Sequence, residues 1–405
     1  MSVRKRAWTT PKGEAKSSWV VDYTDTAGKR RLKTFPRKKE ADAFAATAHV
    51  EVREGTHVAD SASATVSTAG ALWLKRCEQN GLERTTLLQY DQLLRLHIAT
   101  ELGTTLLSRL TVPMVRQFED KLLETGRSAA LVRKILVALG SLLSDAQERG
   151  LVVRNVVREK SRTRQRGTDR RREKRAKGKL KVGVDIPSAG EIKALVGALE
   201  GRWRPLFLTA IFTGLRASEL RGLRWSDVDL DRRTIRVHQR ADAFNDIGRP
   251  KSAAGERTVP VPPIVVAALK EWRLACPRPS GEEVRADQLV FPNGRGNVES
   301  YANIAQRGYA PAQIAAGLTT ESDERDDEGK PILVAKYPGL HALRHFYASW
   351  CINRKEDGGL GLPPKMVQER LGHSSITLTM DTYGHLFPTG DQADELAAAE
   401  TALLG

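Results

Sequence analysis

Six side chains in the second half of the chain have the types and spacing that handling an anion requires. Arg216 follows a glycine turn in TGLRASEL (213–220), at the start of a helical segment where a guanidinium can meet a negative charge. Lys251 lies in RPKSAAGERTVPVP (249–262), a Gly- and Pro-bounded stretch where a β-hairpin tip could project its amine. In HALRH (341–345), His341 and Arg344 are i, i+3 neighbours on one helix face, so both can point at the same ligand. LGH (371–373) ends a helix at a C-terminal Gly and places His373 just after it. Ten residues on, Tyr383 in MDTYGHLF adds a hydroxyl. Taken singly each has an ordinary explanation, as surface charge, helix cap or half-buried packing.

The elements that must position these groups can be read from periodicity. In the first 60 residues, the runs 19–23 and 31–35 are β-like and joined by a turn at Gly28, and residues 38–54 are helix-like, predicting one helix laid on a small sheet. The basic cluster Lys29, Arg30, Arg31, Lys33 and Arg37 to Lys39 fits a ribbon entering a DNA major groove, and equally a charged sheet face. Residues 61–157 carry four apolar helical stripes, with Thr111 capping the third and Ser128 opening the fourth, which predicts a compact helical bundle. From Ser188, whose capping-box pattern with Glu191 opens a helix, the chain mixes a buried helix at 205–212 with strands at 234–237 and 257–261. The acidic run ESDERDDE (321–328) would repel DNA, so it is expected to be an outward loop.

Together and in this order, Arg216, Lys251, His341-x-x-Arg344, Leu-Gly-His373 and Tyr383 resemble the catalytic signature of the tyrosine recombinases, the phage integrase family. The resemblance covers residues 185–395 directly. The bundle is similar to that family's core-DNA-binding domain, and the N-terminal block, more loosely, to its arm-binding module. The expected architecture is therefore mainly α with small β elements. Residues 1–60 form an α+β arm-type module, 61–157 the core-binding bundle, 158–184 a basic linker and 185–405 a mixed α/β catalytic domain. The resemblance implies that Tyr383 attacks a scissile phosphate and becomes joined to the DNA 3′ end. Phosphate chemistry independently asks for the remaining residues. Arg216 and Arg344 can each donate paired hydrogen bonds to nonbridging oxygens whose charge grows in the transition state. A phenol of ordinary pKa about 10 needs a cation or neutral imidazole, His341 or His373, to help remove its proton. Lys251 can protonate the departing 5′-oxygen, and Glu219 can orient Arg216 or a helix end. The phosphotyrosyl ester conserves the phosphodiester, so no ATP, metal or other cofactor is called for.

Composition agrees with a DNA partner. The chain of 405 residues holds 65 basic and 49 acidic side chains, a net charge of +16, and most of that excess lies in residues 158–181, with 13 basic against 3 acidic. Such a run self-repels, which predicts an extended linker, and against a polyanion it would release counterions. Arg170, Arg171, Arg172, Lys174 and Arg175 are its candidate phosphate contacts, alongside Arg31 and Lys33 in the N-terminal ribbon; a merely solvated tether is the alternative. The expected partners are double-stranded DNA at core-type and arm-type attachment sites and further copies in a tetramer on DNA, with a host DNA-bending factor and an excisionase as accessory proteins compatible with the resemblance. The terminal segment 391–404 reads as a helix whose Leu396 and Leu403 would dock on a neighbouring protomer. With no apolar span, no signal-peptide core and three scattered cysteines, the expected place is the cytoplasm, at the nucleoid.

Three rival readings stand beside this one. His341 and His345 at i, i+4 could hold a metal in a nuclease, but no carboxylate follows at the required spacing and the Arg-rich surroundings repel a cation. A DNA-binding regulator of the same fold would not need all six positions filled. Chromosome-dimer or plasmid resolution is the other recombinase biology, whereas the extra N-terminal block favours integration of a phage or mobile element.

Overall fold

The computed structural model describes residues 1–10, 14–26, 28–55, 59, 63–159, 178–277, 285–388 and 392–404. The chain divides into two compact units, Met1–Ala176 and Lys177–Gly405. It is mainly α with small sheets, as the periodicities predict. The linker candidates Arg170, Arg171, Arg172, Lys174 and Arg175 lie outside the described residues.

The first unit opens with an antiparallel sheet of β1 (Ser2–Thr9), β2 (Ala15–Thr24) and β3 (Arg30–Phe35), in that order. Alternation along β2 turns Trp19, Val21 and Tyr23 to one face, where α1 (Lys38–Arg53) covers them with Ala41 and Phe44. The bundle follows as α2 (Val66–Gln79), α3 (Arg84–Leu93), α4 (Ala99–Leu102), α5 (Val112–Glu124) and α6 (Ala129–Glu148), with a π-helical turn at Leu94–Ile98 joining α3 to α4. Thr65, Thr111 and Ser128 each accept a hydrogen bond from a backbone N–H in the first turn of α2, α5 and α6, satisfying donors the helices leave open. The stripes meet in one core around Trp73, Ile98, Val115, Phe118, Ile135, Leu139 and Leu142. Asp145 is buried there, with Arg76 at 2.9 Å and Arg149 at 2.7 Å compensating its charge.

In the second unit α7 (Ala189–Ala198) carries the predicted capping box. The Ser188 N–H donates to Glu191 at 2.8 Å and the Glu191 N–H to the Ser188 hydroxyl at 3.3 Å. Then come α8 (Trp203–Thr213), buried nearly throughout, and α9 (Ala217–Gly222). β4 (Val228–Asp229), β5 (Thr234–Val237) and β8 (Arg257–Pro260) form an antiparallel sheet in that order. A separate hairpin, β6 (Arg240–Ala241) with β7 (Ile247–Gly248), is inserted between β5 and β8. The helix α10 (Pro263–Ala275) packs on α8; α11 (Tyr301–Asn303) leads through a π-helical turn at Ile304–Tyr309, which also packs on α8, into α12 (Ala310–Ala315), which packs on α7. The last helices are α13 (His341–Ile352), α14 (Pro364–Leu371), α15 (Ile376–Tyr383) and α16 (Gln392–Leu404).

The acidic run is only partly a loop. Residues 321–325 lie in β9 (Thr319–Arg325), which pairs antiparallel with β10 (Pro331–Ala335) with a shift of register between Pro331 and Leu333, and residues 326–330 form the turn. The apolar stretch Ile332 to Val334 supplies a partner strand that charge alone does not reveal. Its side chains remain exposed, so the hairpin does point outward.

Candidate active site

Two helices of the second unit end in glycines held in the left-handed region, Gly214 after α8 (φ 61°) and Gly372 after α14 (φ 64°). No other residue would fit. A Cβ on Gly214 would lie 2.3 Å from the Tyr347 ring, and one on Gly372 would lie 2.9 Å from the Ala254 carbonyl oxygen. The α14 turn leaves three successive carbonyls without helical partners, and each takes an arginine. Arg257 Nε donates to the Arg370 carbonyl at 2.8 Å, Arg344 Nη2 donates to that of Leu371, and Arg216 Nη2 donates to that of Gly372 at 3.1 Å. Arg344 also donates through Nη1 to the Gly214 carbonyl at 2.6 Å, so one guanidinium closes both helix ends. Cations at these two C-termini complement the helix dipoles.

Beneath the arginines lies Glu219. It accepts from Arg216 Nη1 at 2.8 Å and from the Arg216 backbone N–H at 2.8 Å. It also takes a bidentate pair from Arg257, at 3.1 and 2.9 Å. Burial would raise its carboxyl, but the hydrogen bonds and charge of Arg257, with the charge of Arg216, bring it down to about 2. Arg216 keeps 36% of its side chain exposed, whereas Arg344 is 2% exposed, and burial, then the charge of Arg216, pulls the Arg344 guanidinium down to about 9.

Tyr383, at the end of α15, is 1% exposed. Its hydroxyl lies 2.7 Å from His345 Nδ1, and its ring is parallel to that of His373 with centroids 6.2 Å apart. Burial pushes the phenol up to about 12, against the opposing pull of Arg344 and Arg216. His373 Nδ1 pairs with the Thr379 hydroxyl at 3.0 Å, and burial with the charge of Arg344 lowers its imidazole to about 3. His341 opens α13 and meets the His345 ring edge to face at 4.6 Å. The protein packed around His341, then Arg344 and Arg216, holds it below its ordinary value. His341 and His373 are thus both held below the ordinary imidazole value, beside fixed positive charge. The arrangement can bind an anion and present a phenol to it.

The structure gathers Arg216, His341, Arg344, His373 and Tyr383. Lys251 is exposed in the loop between β7 and β8, not at the tip of a β-hairpin; the hairpin tip holds residues 242–246 instead. The far end of that loop is fixed where Arg257 Nη1 donates to the Gly255 carbonyl at 3.0 Å. Reading the sequence alone misses Arg257 as a site residue and offers His345 only as a metal ligand in the nuclease reading. For His345 the signal is its place one residue after Arg344, on the turn that follows His341.

In the N-terminal sheet, Arg31 and Lys33 lie on the strand face that α1 covers. Arg31 Nε donates to Asp25 at 2.7 Å, and the Lys33 ammonium sits 4.4 Å above the Phe44 ring. The opposite face carries Arg4, Arg6 and Val20 along β1 and β2, with Leu32 beside them, around a concavity of about 280 Å³ that Lys5 also lines. Among the described residues, no three His, Cys, Asp or Glu side chains cluster as metal ligands would, and no helix is long and apolar enough to cross a membrane.

Residues 188–389 match the model of the phage integrase family. The chain is 28% identical over 383 residues to a protein named tyrosine recombinase XerC-like from Caldanaerobacter subterraneus subsp. tengcongensis, covering 90% of each. It is 24% identical over 377 residues to the ICEBs1 integrase of Bacillus subtilis, covering 90% of this chain and 92% of that one. Among solved structures, it is similar to the Tn1549 transposon integrase in complex with transposon right end DNA, with a TM-score of 0.60 at 19% identity, covering 84% of this chain and 100% of that one. A lambda integrase tetramer bound to a Holliday junction aligns with a TM-score of 0.53 at 18% identity, covering 92% and 96%. At such identities the structural likenesses speak for the fold.

Proposed function

This chain belongs to the phage integrase family of tyrosine recombinases, and from that premise we propose that it is a site-specific integrase that joins a phage or mobile element to a chromosome through Tyr383. The observation that carries the reading is the burial of the Tyr383 hydroxyl in one cluster with Arg216, Arg344, His341 and His373. Tyr383 attacks the scissile phosphate, losing its proton to a neutral imidazole of the site as its oxygen bonds to phosphorus and the 5′-oxygen leaves. Arg216, partly exposed and braced by Glu219, donates to a nonbridging oxygen as its charge grows, and Arg344 adds positive charge from below while holding the two helix ends in place. Lys251, on its exposed loop, supplies the proton to the leaving oxygen. A free 5′-hydroxyl of a second strand then reverses the attack and reseals the DNA.

Residues 1–60 are assigned to arm-type DNA, 61–157 to the core site, 158–184 to a basic connection between DNA-binding and catalytic parts, and 185–405 to catalysis. Assembly as a tetramer, with an excisionase and a host DNA-bending factor in attendance, follows the family reading, as does work at the nucleoid. The exposure of Leu396, Leu403 and Leu404 on α16 supports a docking helix. Chromosome-dimer or plasmid resolution is the second recombinase reading, and the N-terminal sheet favours integration.

Supercoiled DNA carrying the segments that flank the gene tests the proposal. A covalent protein–DNA adduct should form in EDTA without ATP and should be absent with Tyr383→Phe. Binding without any adduct would instead assign the chain to non-catalytic DNA regulation.

A further inference from the structure

We infer that His345 is a seventh member of the strand-transfer site, accepting the hydrogen bond of the Tyr383 hydroxyl and so fixing the direction in which the nucleophilic oxygen presents its lone pairs. The inference rests on the function proposed above, since it concerns how Tyr383 is aimed.

Geometry comes first. The contact between His345 Nδ1 and the Tyr383 hydroxyl is 2.7 Å, short enough for a well-formed hydrogen bond. His373, the nearer candidate by sequence, directs its Nδ1 to Thr379 and lies parallel to the Tyr383 ring rather than at its hydroxyl. His341 meets the His345 ring, which places it one ring further away along α13. Of the three histidines, the one at the reacting atom is thus the one outside the recognised motif.

The sense of the hydrogen bond follows from satisfaction. Tyr383 is 1% exposed and its hydroxyl carries one proton, which in such a site must meet an acceptor. If His345 bore its proton on Nδ1, that imidazole would donate to the phenol and leave the phenolic proton pointing at no acceptor among the described hydrogen bonds. With the proton on Nε2, Nδ1 accepts and the phenolic proton is satisfied. The surroundings keep the ring neutral, as acceptance demands. Burial, then His341 and Arg344, lower its imidazole to about 4, and only Asp185 opposes them. The arrangement is spacing made into chemistry: His345 stands one residue past Arg344 on α13, so the helix that carries the buried arginine also aims the tyrosine.

A phenol can rotate its proton about the C–O bond, and each orientation points the lone pairs elsewhere. Holding the proton on His345 removes that freedom before the DNA arrives, which is orientation supplied in advance of the reaction.

Three substitutions separate this role from simple packing. His345→Asn puts Oδ1 where Nδ1 stood and keeps an acceptor but loses ring volume. His345→Leu keeps much of the volume and loses the acceptor. Tyr383→Phe is the blank. Each full-length protein is mixed in excess with nicked duplexes carrying the segments that flank the gene, and both the dissociation constant and the single-turnover rate of adduct formation are read. The Leu variant should bind DNA within about threefold of the unmodified protein and cleave it roughly tenfold or more slowly, the loss expected when a buried donor is left without its acceptor. The Asn variant should recover most of the rate. The reverse order, Leu faster than Asn, would show a packing role and overturn the inference, as would equal rates in both. If the unmodified protein itself gives no adduct, the proposed function fails instead. A second measurement needs no DNA. The 15N shifts of His345 in the full-length protein should show an unprotonated Nδ1, and a protonated Nδ1 at neutral pH would overturn the assignment.

Discussion

Arg257 and Glu219 meet in a bidentate ion pair, Nη2 to Oε2 at 2.9 Å and Nη1 to Oε1 at 3.1 Å, with both side chains less than a tenth exposed. The same carboxylate accepts from Arg216, and the same guanidinium donates through Nε to the Arg370 carbonyl, so the pair joins Arg216 to the turn before His373.

That pair makes stability depend on acid. The Glu219 carboxyl sits at about 2 in the folded protein against an ordinary value of 4.5, so its contribution is complete above about pH 4.5 and is lost as the pH falls towards 2. A difference of that size corresponds to roughly 3 kcal/mol. Urea unfolding of the unmodified protein should therefore weaken steeply between pH 5 and 3, and Glu219→Gln, less stable at pH 7, should weaken less over the same interval. Parallel slopes would contradict the assignment. Arg257→Ala, which leaves the buried carboxylate with Arg216 alone, should cost roughly 3 to 5 kcal/mol.

Lys251 and the arginines should separate by leaving group. If Lys251 protonates the 5′-oxygen, replacing that oxygen with sulfur removes the need for it, because a thiolate departs without a proton. Lys251→Ala should cleave a 5′-bridging phosphorothiolate nearly as fast as the unmodified protein does. Arg216→Ala should stay slow on both substrates, since the nonbridging charge it meets develops whichever atom leaves and such a donor contributes roughly 3 to 4 kcal/mol. No gain from sulfur in Lys251→Ala would move the general acid elsewhere.

The N-terminal sheet offers a test of which face meets DNA. Arg31 and Lys33 are engaged with Asp25 and the Phe44 ring, whereas Arg4 and Arg6 flank the open concavity. Replacing Arg4 and Arg6 with Ala should weaken binding at arm-type sites and spare the core site in footprints. Replacing Arg31 and Lys33 should lower the melting temperature more than it alters the arm-site footprint.

The basic run at 158–181, net +10, is expected to meet phosphates. Neutralising Arg170, Arg171 and Arg172 should reduce the slope of log K against log salt by up to about one unit for each phosphate that no longer has a cation against it. An unchanged slope leaves the run as a solvated connection.

Deleting 391–404 tests the last helix. Its exposed Leu396 and Leu403 should matter to copies meeting on DNA, so cooperative assembly should fall more than single-site binding. Equal weakening of both would tie the helix to its own domain.

Much of this protein was settled by its sequence. The apolar stripes of α2 to α6, the caps at Thr111 and Ser128, and the box at Ser188 and Glu191 are local patterns, each complete within a few residues, and each forms as the periodicity predicts. The order Arg216, Lys251, His341, Arg344, His373, Tyr383 likewise points to its family without any coordinates. Three things waited for the tertiary structure. The strand at 319–325 depends on a partner beyond an acidic turn, and charge counting carries no information about pairing. The face on which Arg31 and Lys33 lie is decided by which side of β2 the helix α1 covers, because alternation fixes that there are two faces but not which one is buried. And the contacts of Arg257 with Glu219 and of His345 with Tyr383 join residues 38 positions apart, whose meeting depends on the packing of α14 against β8, α13 and α15. Spacing in a sequence sets which side chains share a helix face. Only the packing of one element on another brings a particular nitrogen to a particular oxygen.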